Sequence, residues 1–389
     1  MSMRLAIIVS HPIQYYAPLY QSLAGRGDVS IKVFFTWHAA QTAVADRGFQ
    51  RAVAWDIPLV EGYDHELVPN TARDPGTHHF FGLRNPSLVD RVLRWKPDAV
   101  HITGWAWASH LAALRAFQRL KLPTLFRGDS HLLDGPGRGW WLKKAVLTQI
   151  YSWPTAFLVT GAANHAYYRA FGVREDRLFP CPHSIDVARF AGPAYDFERE
   201  ALEWRAVLRI GTDQLVLLFA GKFEPKKNPL ELMNALLGLP NSNIVLVMVG
   251  NGALQKQVED IAASSPERFR ILPFQNQSQM PLVYRLGDLF VLPSIYNETW
   301  GLAVNEALAS GRPVLVSDRV GCARDVVDAS CGWIFDSHEI DSLSCELRDL
   351  PRRDELIAMR PAAMARARLF DISVTAERTM SAIGAIVAK

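Results

Sequence analysis

Cysteine is scarce in this sequence. Its 389 residues hold four (Cys181, Cys322, Cys331 and Cys345), with no CxxC spacing and no clustered histidines beside them. A disulfide framework and a structural zinc module are thereby excluded. Long apolar runs are missing too: none approaches the roughly 18 residues of a spanning helix. The opening run Leu5 to Val9 is shorter than the ~7 residues of a signal-peptide core. The expectation is a chain that neither spans a membrane nor carries a leader, in a reducing cytoplasm. There is no DxD and no HxxH-type pair on a predicted helix, so no metal and no cofactor are expected. No GxSxG hydrolase motif, no nucleic-acid recognition motif and no tandem repeat is present. Net charge is nearly absent, with 42 Lys plus Arg against 39 Asp plus Glu.

What is present is a large apolar complement. At 49% hydrophobic and 21% charged, the chain can bury a core, and its length predicts about two domains. The near-neutral total hides a split at residue 190. Residues 1–190 hold 21 Lys plus Arg and 14 Asp plus Glu, net +7, whereas residues 191–389 hold 21 and 25, net −4. Ten of the 11 His and eight of the 11 Trp lie in the first part. Either the two parts meet different ligands, the basic one facing an anion or a membrane surface, or the charge drifts by chance.

Short β-branched apolar runs alternate with helical patterns. Arg4 to Val9, Val29 to Phe35, Asp98 to Ile102, Pro123 to Arg127 and Thr155 to Thr160 read as buried strands, separated by helices such as Ser109 to Leu120 and Trp140 to Tyr151. The scheme restarts at Leu215 to Ala220 and runs through Ile244 to Val249, Phe269 to Leu272, Asp288 to Leu292, Pro313 to Ser317 and Gly332 to Phe335. This order predicts an α/β protein of two doubly wound, Rossmann-like domains, 1–190 and 191–370, with a last helix at 371–389 that returns to the first. Ligands of such sheets bind beyond the carboxyl ends of the strands, so the residues after each strand carry the argument.

After Leu215 to Ala220 comes Gly221-Lys222-Phe223-Glu224-Pro225-Lys226-Lys227-Asn228-Pro229. Asn228 can cap a helix with Pro229 in its first turn. Lys222 and Lys227 then flank a helix N-terminus suited to a diphosphate, or form a solvated basic turn. After Asp288 to Leu292 comes Pro293-Ser294-Ile295-Tyr296-Asn297-Glu298-Thr299-Trp300-Gly301-Leu302-Ala303-Val304-Asn305-Glu306. Gly301 permits close backbone approach, and the helix start offers the N–H groups of Gly301 and Leu302 to a phosphate. Glu298 in the loop suits a sugar hydroxyl, and Glu306 in the helix suits ribose hydroxyls. An acidic helix entry also complements the dipole with no ligand at all.

The EX7E spacing from Glu298 to Glu306, preceded by the Lys222/Lys227 loop, resembles glycosyltransferase family 4, retaining enzymes of GT-B fold whose two domains face each other across a cleft. The match covers roughly Leu215 to Val327 closely and the first half more loosely, through the strand order and Thr155 to Asp186. The resemblance implies that Lys222 and Lys227 hold the donor diphosphate, Glu306 the ribose and Glu298 the transferred sugar, with Phe274 near the base. It places a His after the strand Pro123 to Arg127 close to the reaction centre, which is His131 here; a structural His is the alternative. The chain departs from the family pattern at Lys222 (usually Arg), Trp300 (often Phe), Cys322 (a second Gly) and Asp325 (commonly Glu).

Where many relatives carry a Gly-rich loop after the first strand, this chain has Ser10-His11-Pro12-Ile13-Gln14-Tyr15-Tyr16. His11, Gln14 and Tyr15 suit recognition of an acceptor, and capping or packing suits them equally. Gly250-Asn251-Gly252 is a partial GxGxxG, read as a tight turn. Trp140, Trp141, Lys143 and Lys144 give one helix the composition of a membrane-interface helix or of a Trp- and Leu-rich core stripe. Three functions follow: a retaining transferase moving sugar from a UDP- or GDP-sugar to a glycan or lipid-linked acceptor in cell-surface polysaccharide assembly, a sugar-nucleotide epimerase of the same architecture, or a non-catalytic sugar-nucleotide or glycan binder.

Overall fold

The computed structural model describes residues 2–37, 44–46, 51–137, 139–239, 243–339 and 341–387. Strands in the first part are β1 (Met3–Val9), β2 (Val29–Phe35), β3 (Val44–Asp46), β4 (Arg51–Val53), β5 (His65–Leu67), β6 (Ala99–Thr103), β7 (Thr124–Arg127), β8 (Ala156–Val159) and β9 (Leu178–Pro180). The second part carries β10 (Leu215–Ala220), β11 (Ile244–Val249), β12 (Phe269–Leu272), β13 (Leu289–Leu292), β14 (Val314–Ser317) and β15 (Gly332–Phe335). Among the described residues, two large sheets are ordered β5-β2-β1-β6-β7-β8-β9 and β12-β11-β10-β13-β14-β15, and β3 pairs with β4 in a third, two-stranded one. Each neighbouring pair in the two large sheets is parallel.

The strands are apolar throughout because both faces are covered. Along β1, Ala6 and Ile8 enter one core with Val100, Phe126 and Phe157, whereas Leu5, Ile7 and Val9 enter another with Leu125 and Leu158. The alternation of strand side chains thus feeds two helical layers. Each such Leu or Ile, 0–1% exposed, contributes roughly 1.5–3 kcal/mol.

Two compact units emerge: Met1–Val44 with Ile57–Ser184 and Ile372–Lys389, and Ala45–Asp56 with Ile185–Asp371. The helix Ile372–Val387 packs in the first unit, where Ile372, Ala376, Ala382 and Ile383 join the core of Leu5 and Ile7. The Cys181 thiol is buried beside its Thr375 and Thr379. One stretch differs from the sequence reading: Ala45–Asp56, expected with residues 1–190, groups with the second unit. The short β5 and β9 lie outside the runs read as strands, since three residues carry no periodicity.

In both large sheets the strand order reverses beside the strand that comes first in the chain, between β1 and β6 and between β10 and β13. The loops leaving such a pair diverge to opposite faces and leave a crevice at the carboxyl ends. The Lys222 loop leaves β10, and the Glu298 loop leaves β13.

Candidate active site

In the second unit, hydrogen bonds tie these two loops into one structure. Ile295 N donates to Lys226 O at 2.9 Å. The Lys222 loop is also clamped from β11: Phe223 N donates to Asn251 O at 2.9 Å and Leu254 N to Phe223 O at 2.9 Å. Gly250 and Gly252 are required for that approach, because a Cβ at Gly250 (φ +152°) would lie 1.9 Å from Gly221 O and one at Gly252 2.5 Å from Phe223 O. The Gly250-Asn251-Gly252 turn therefore braces the basic loop.

Lys227 forms an ion pair with Glu298. Glu298 is 8% exposed, and its Oε2 accepts from Ser294 Oγ at 3.1 Å. Burial by itself raises the Glu298 carboxyl, but the charge and hydrogen bond of Lys227, with Lys226 and Ser294 adding to them, hold it below the usual carboxylate value. The carboxylate is anionic and fixed. Gly321 N donates to Glu298 O and Cys322 N to Trp300 O, both at 2.9 Å, so the loop after β14 supports the Glu298 loop from behind. A Cβ at Gly321 would meet Thr299 O at 2.1 Å.

The helix Leu302–Ala309 starts at Gly301, whose φ of +94° is left-handed. Trp300 is 3% exposed, and its Nε1 donates to Asn305 Oδ1 at 2.9 Å, which accommodates Trp at this position. Glu306, 2% exposed, accepts from Tyr284 Oη at 2.6 Å. Tyr284 belongs to the helix Met280–Arg285, and no spacing in the sequence links it to Glu306. The two glutamates are thus held by different partners.

Asn228 differs from the expectation. It precedes the helix Pro229–Leu237 in a left-handed conformation (φ +53°) and makes no side-chain cap, while Pro229 does open the first turn. Lys222 is half-buried at the start of the loop, and Phe274 is half-buried just after β12. Asn251 Oδ1 accepts from Phe274 N at 2.8 Å.

In the first unit, His11, Gln14 and Tyr15 follow β1 and are half-buried. The turn through Ile13, whose carbonyl accepts from Tyr16 N and Ala17 N, leads into the helix Ala17–Ala24. His11 Nδ1 lies 2.9 Å from Ser10 Oγ, and its ring meets Trp37 edge-on at 5.5 Å. Enclosure pushes the imidazole down to about 4, so it is neutral at pH 7. His131 follows β7 and accepts at Nδ1 from Leu133 N at 3.2 Å.

Sequence reasoning missed a charged group in the same unit, in which His183 and Arg127 are buried and Asp129 and Tyr16 half-buried. His183 Nε2 pairs with Asp129 Oδ1 at 3.1 Å, and Tyr16 stacks on the His183 ring at 6.4 Å. Arg127, 2% exposed, donates to Cys181 O at 3.2 Å. Burial raises the Asp129 carboxyl, but His183 and then Arg127 outweigh it and bring it down to about 2. These residues come from the ends of different strands, so no local motif announces them.

Among the described residues, one group has the ligand spacing of a cation site: Asp74, His78 and His79, with ligand atoms within 4.8 Å of one another. Hydrogen bonding already accounts for this cluster. His78 Nε2 meets Asp74 Oδ2 at 3.1 Å, and His79 Nε2 meets the Asp74 carbonyl at 3.0 Å. The helix Trp140–Tyr151 buries Leu147, Ile150 and Tyr151, and Trp140 packs on Phe171 at 5.0 Å. Trp141 is 76% exposed, and Leu142, Val146, Lys143 and Lys144 also face outward. Among the described residues, no helix is long and apolar enough to cross a membrane.

Two parallel α/β units of this topology are those of the GT-B fold, and the comparisons agree. The chain matches solved GT-B structures along nearly its whole length. The Anabaena protein HepE in complex with UDP and glucose superposes with a TM-score of 0.71 at 15% identity, covering 98% of this chain and 99% of that one. The catalytic domain of Arabidopsis thaliana starch synthase IV, bound to ADP and acarbose, gives 0.73 at 13% identity and complete coverage of both. Residues 200–363 match the family model described as glycosyl transferases group 1, and residues 65–182 match the glycosyl transferase 4-like domain. The chain belongs to glycosyltransferase family 4. Among curated relatives, D-inositol 3-phosphate glycosyltransferases from Nocardia farcinica and Mycolicibacterium smegmatis are each 32% identical, over 230 and 168 residues. Those matches cover 55% and 42% of this chain, and the chain spans only 49% and 37% of those relatives' length.

Proposed function

We propose that this chain is a retaining glycosyltransferase that moves a sugar from a UDP- or GDP-sugar to a hydroxyl of a glycan or lipid-linked acceptor in cell-surface polysaccharide or glycoconjugate assembly. The observation that carries this reading is the joining of the β10 and β13 loops at the reversal of the second sheet. Lys227, paired with a fixed carboxylate, stands there beside the loop that opens the helix at Gly301, and Lys222 starts the β10 loop. Lys222, Lys227 and the N–H groups of Gly301 and Leu302 hold the donor diphosphate and stabilise the charge that builds on it as it leaves. Lysine retains the charge of the family's usual Arg at position 222 without its forked geometry. Glu306 takes the ribose, and Phe274 lies at the base. No metal is required for this division of labour.

Glu298, already paired with Lys227, holds the transferred sugar and does not attack it. In the front-face step the bond from the anomeric carbon to the phosphate oxygen breaks on the face where the acceptor oxygen bonds. The departing phosphate oxygen takes the acceptor proton. His11, Gln14 and Tyr15 serve the acceptor, and His131 serves the reaction centre. The outward Trp141, Leu142, Lys143 and Lys144 support peripheral contact with a membrane that carries a lipid-linked acceptor. NMR of the product decides the stereochemistry: the donor's anomeric configuration is expected, and an inverted linkage contradicts the reading.

A further inference from the structure

The loop after β12 is gripped by a segment that lies more than two hundred residues earlier in the sequence. Asn276 Nδ2 donates to Ala54 O at 2.6 Å, and Asn276 Oδ1 accepts from Asp56 N at 3.4 Å. The amide side chain thereby spans the backbone of residues 54–56 from both sides. In return, Asp56 Oδ1 accepts from Ser278 N at 3.1 Å, and Asp56 Oδ2 accepts from Ser278 Oγ. Between these polar ties sits Trp55, half-buried, whose ring meets Phe274 at 6.2 Å and 62°. The loop is held from its other side as well, by Asn251 at Phe274 N and by Arg189, which donates to Gln277 Oε1 at 2.8 Å.

We infer that Ala54–Asp56 is a clasp completing the nucleobase end of the donor site, in which Trp55 supplies a second aromatic wall beside Phe274 and Asp56 fixes the loop that carries it. The inference rests on the donor-site reading above. Two aromatic rings set at a steep angle make a corner for a flat heteroaromatic ligand, which stacks on one ring and presents its edge to the other. Neither ring has a role toward phosphate. Asp56 is a positioning residue: it acts on the base only through Ser278 and the loop. The surrounding geometry leaves little slack, since the Asn276 side chain bonds Ala54, Asp56 and its own neighbour Gln277, and Ser278 offers both its N–H and its hydroxyl to one carboxylate.

The test compares two probes by titration calorimetry on the full chain, a nucleoside diphosphate (UDP, GDP or ADP, whichever binds) and inorganic pyrophosphate, which has no base. Trp55→Ala is expected to weaken the nucleoside diphosphate about tenfold or more and to leave pyrophosphate unchanged. Asp56→Ala is expected to weaken the nucleoside diphosphate and, by hydrogen exchange, to accelerate exchange of the Ser278 amide. Equal loss of both probes in Trp55→Ala, or no loss of either, overturns the inference. Glu306→Gln separates it from the reading beneath it. If Glu306→Gln weakens the nucleoside diphosphate and Trp55→Ala does not, the clasp is wrong and the donor site stands. If neither variant matters, the donor site itself is wrong.

Discussion

Replacing Lys227 with Met removes the cation that neutralises a carboxylate with only 10% of its side chain exposed. Breaking one side of a buried pair costs about 3–5 kcal/mol, because the charge left behind is uncompensated. Here Ser294 still donates to Glu298, and Lys226 still contributes charge, so the loss belongs at the lower end, about 3 kcal/mol. For a domain of 150–250 residues that is a fall of roughly 6–12 °C in Tm. Urea unfolding at pH 7 measures it, and Lys227→Met/Glu298→Gln should recover most of the loss, because no buried charge remains.

The pH dependence has a definite sign. In the native pair the Glu298 carboxyl is held down, so its stabilisation is fully present above the unfolded value near 4.5 and is lost as pH falls through the lower folded value. In Lys227→Met, burial dominates and the carboxyl moves up. The penalty at pH 7 therefore shrinks on acidification, and the gap between variant and wild type narrows towards pH 5. Single-variant losses that simply add in the double variant, or a gap that does not change with pH, refute the reasoning.

Other consequences are equally open to measurement. Asp288, 1% exposed, accepts from Val216 N at 2.9 Å and pairs with Arg205 at 2.9 Å; Asp288→Ala removes the carboxylate from a buried guanidinium that keeps its hydrogen bond to Leu286 O and should cost about 3–5 kcal/mol in denaturant unfolding. His101 and His110 are buried and depressed to about 3 and about 4. Their stabilisation of the first unit is present above the unfolded value near 6.5 and is lost as pH falls below it. The loss should reach on the order of 2 kcal/mol each by pH 5, and His110→Asn should reduce that slope. Gly321→Ala drives a Cβ to 2.1 Å from Thr299 O, displacing the loop that supports Glu298; turnover should fall with little change in far-UV circular dichroism. His11 imidazole signals should not titrate between pH 8 and pH 5.5 in an NMR titration, because its folded value is about 4.

The strand ladder was readable because parallel strands covered on both faces are continuous apolar runs, as in Leu217 to Ala220. Local motifs therefore pointed to Lys222, Lys227, Glu298, Gly301 and Glu306 as candidates, and the structure pairs two of them, Lys227 and Glu298. Partners joined by topology were not readable. Tyr284 reaches Glu306 from another helix, Asp129 meets His183 from the end of a different strand, and Asp56 meets Ser278 across most of the chain. Asn228 shows the limit of local propensity: it stands where a cap belongs, but the loop demands a left-handed residue there, and that conformation is one Asn tolerates.

A thermal-shift screen of the full chain with UDP, GDP, ADP and their sugars tests the donor site most directly. At a hundredfold excess over Kd, ligand binding stabilises the native state by about 2.7 kcal/mol, or roughly 5–11 °C for a domain of this size. The account predicts that nucleotides of one base raise Tm by such an amount in the wild type and not in Glu306→Gln. No shift with any nucleotide, or the same shift in the variant, contradicts it.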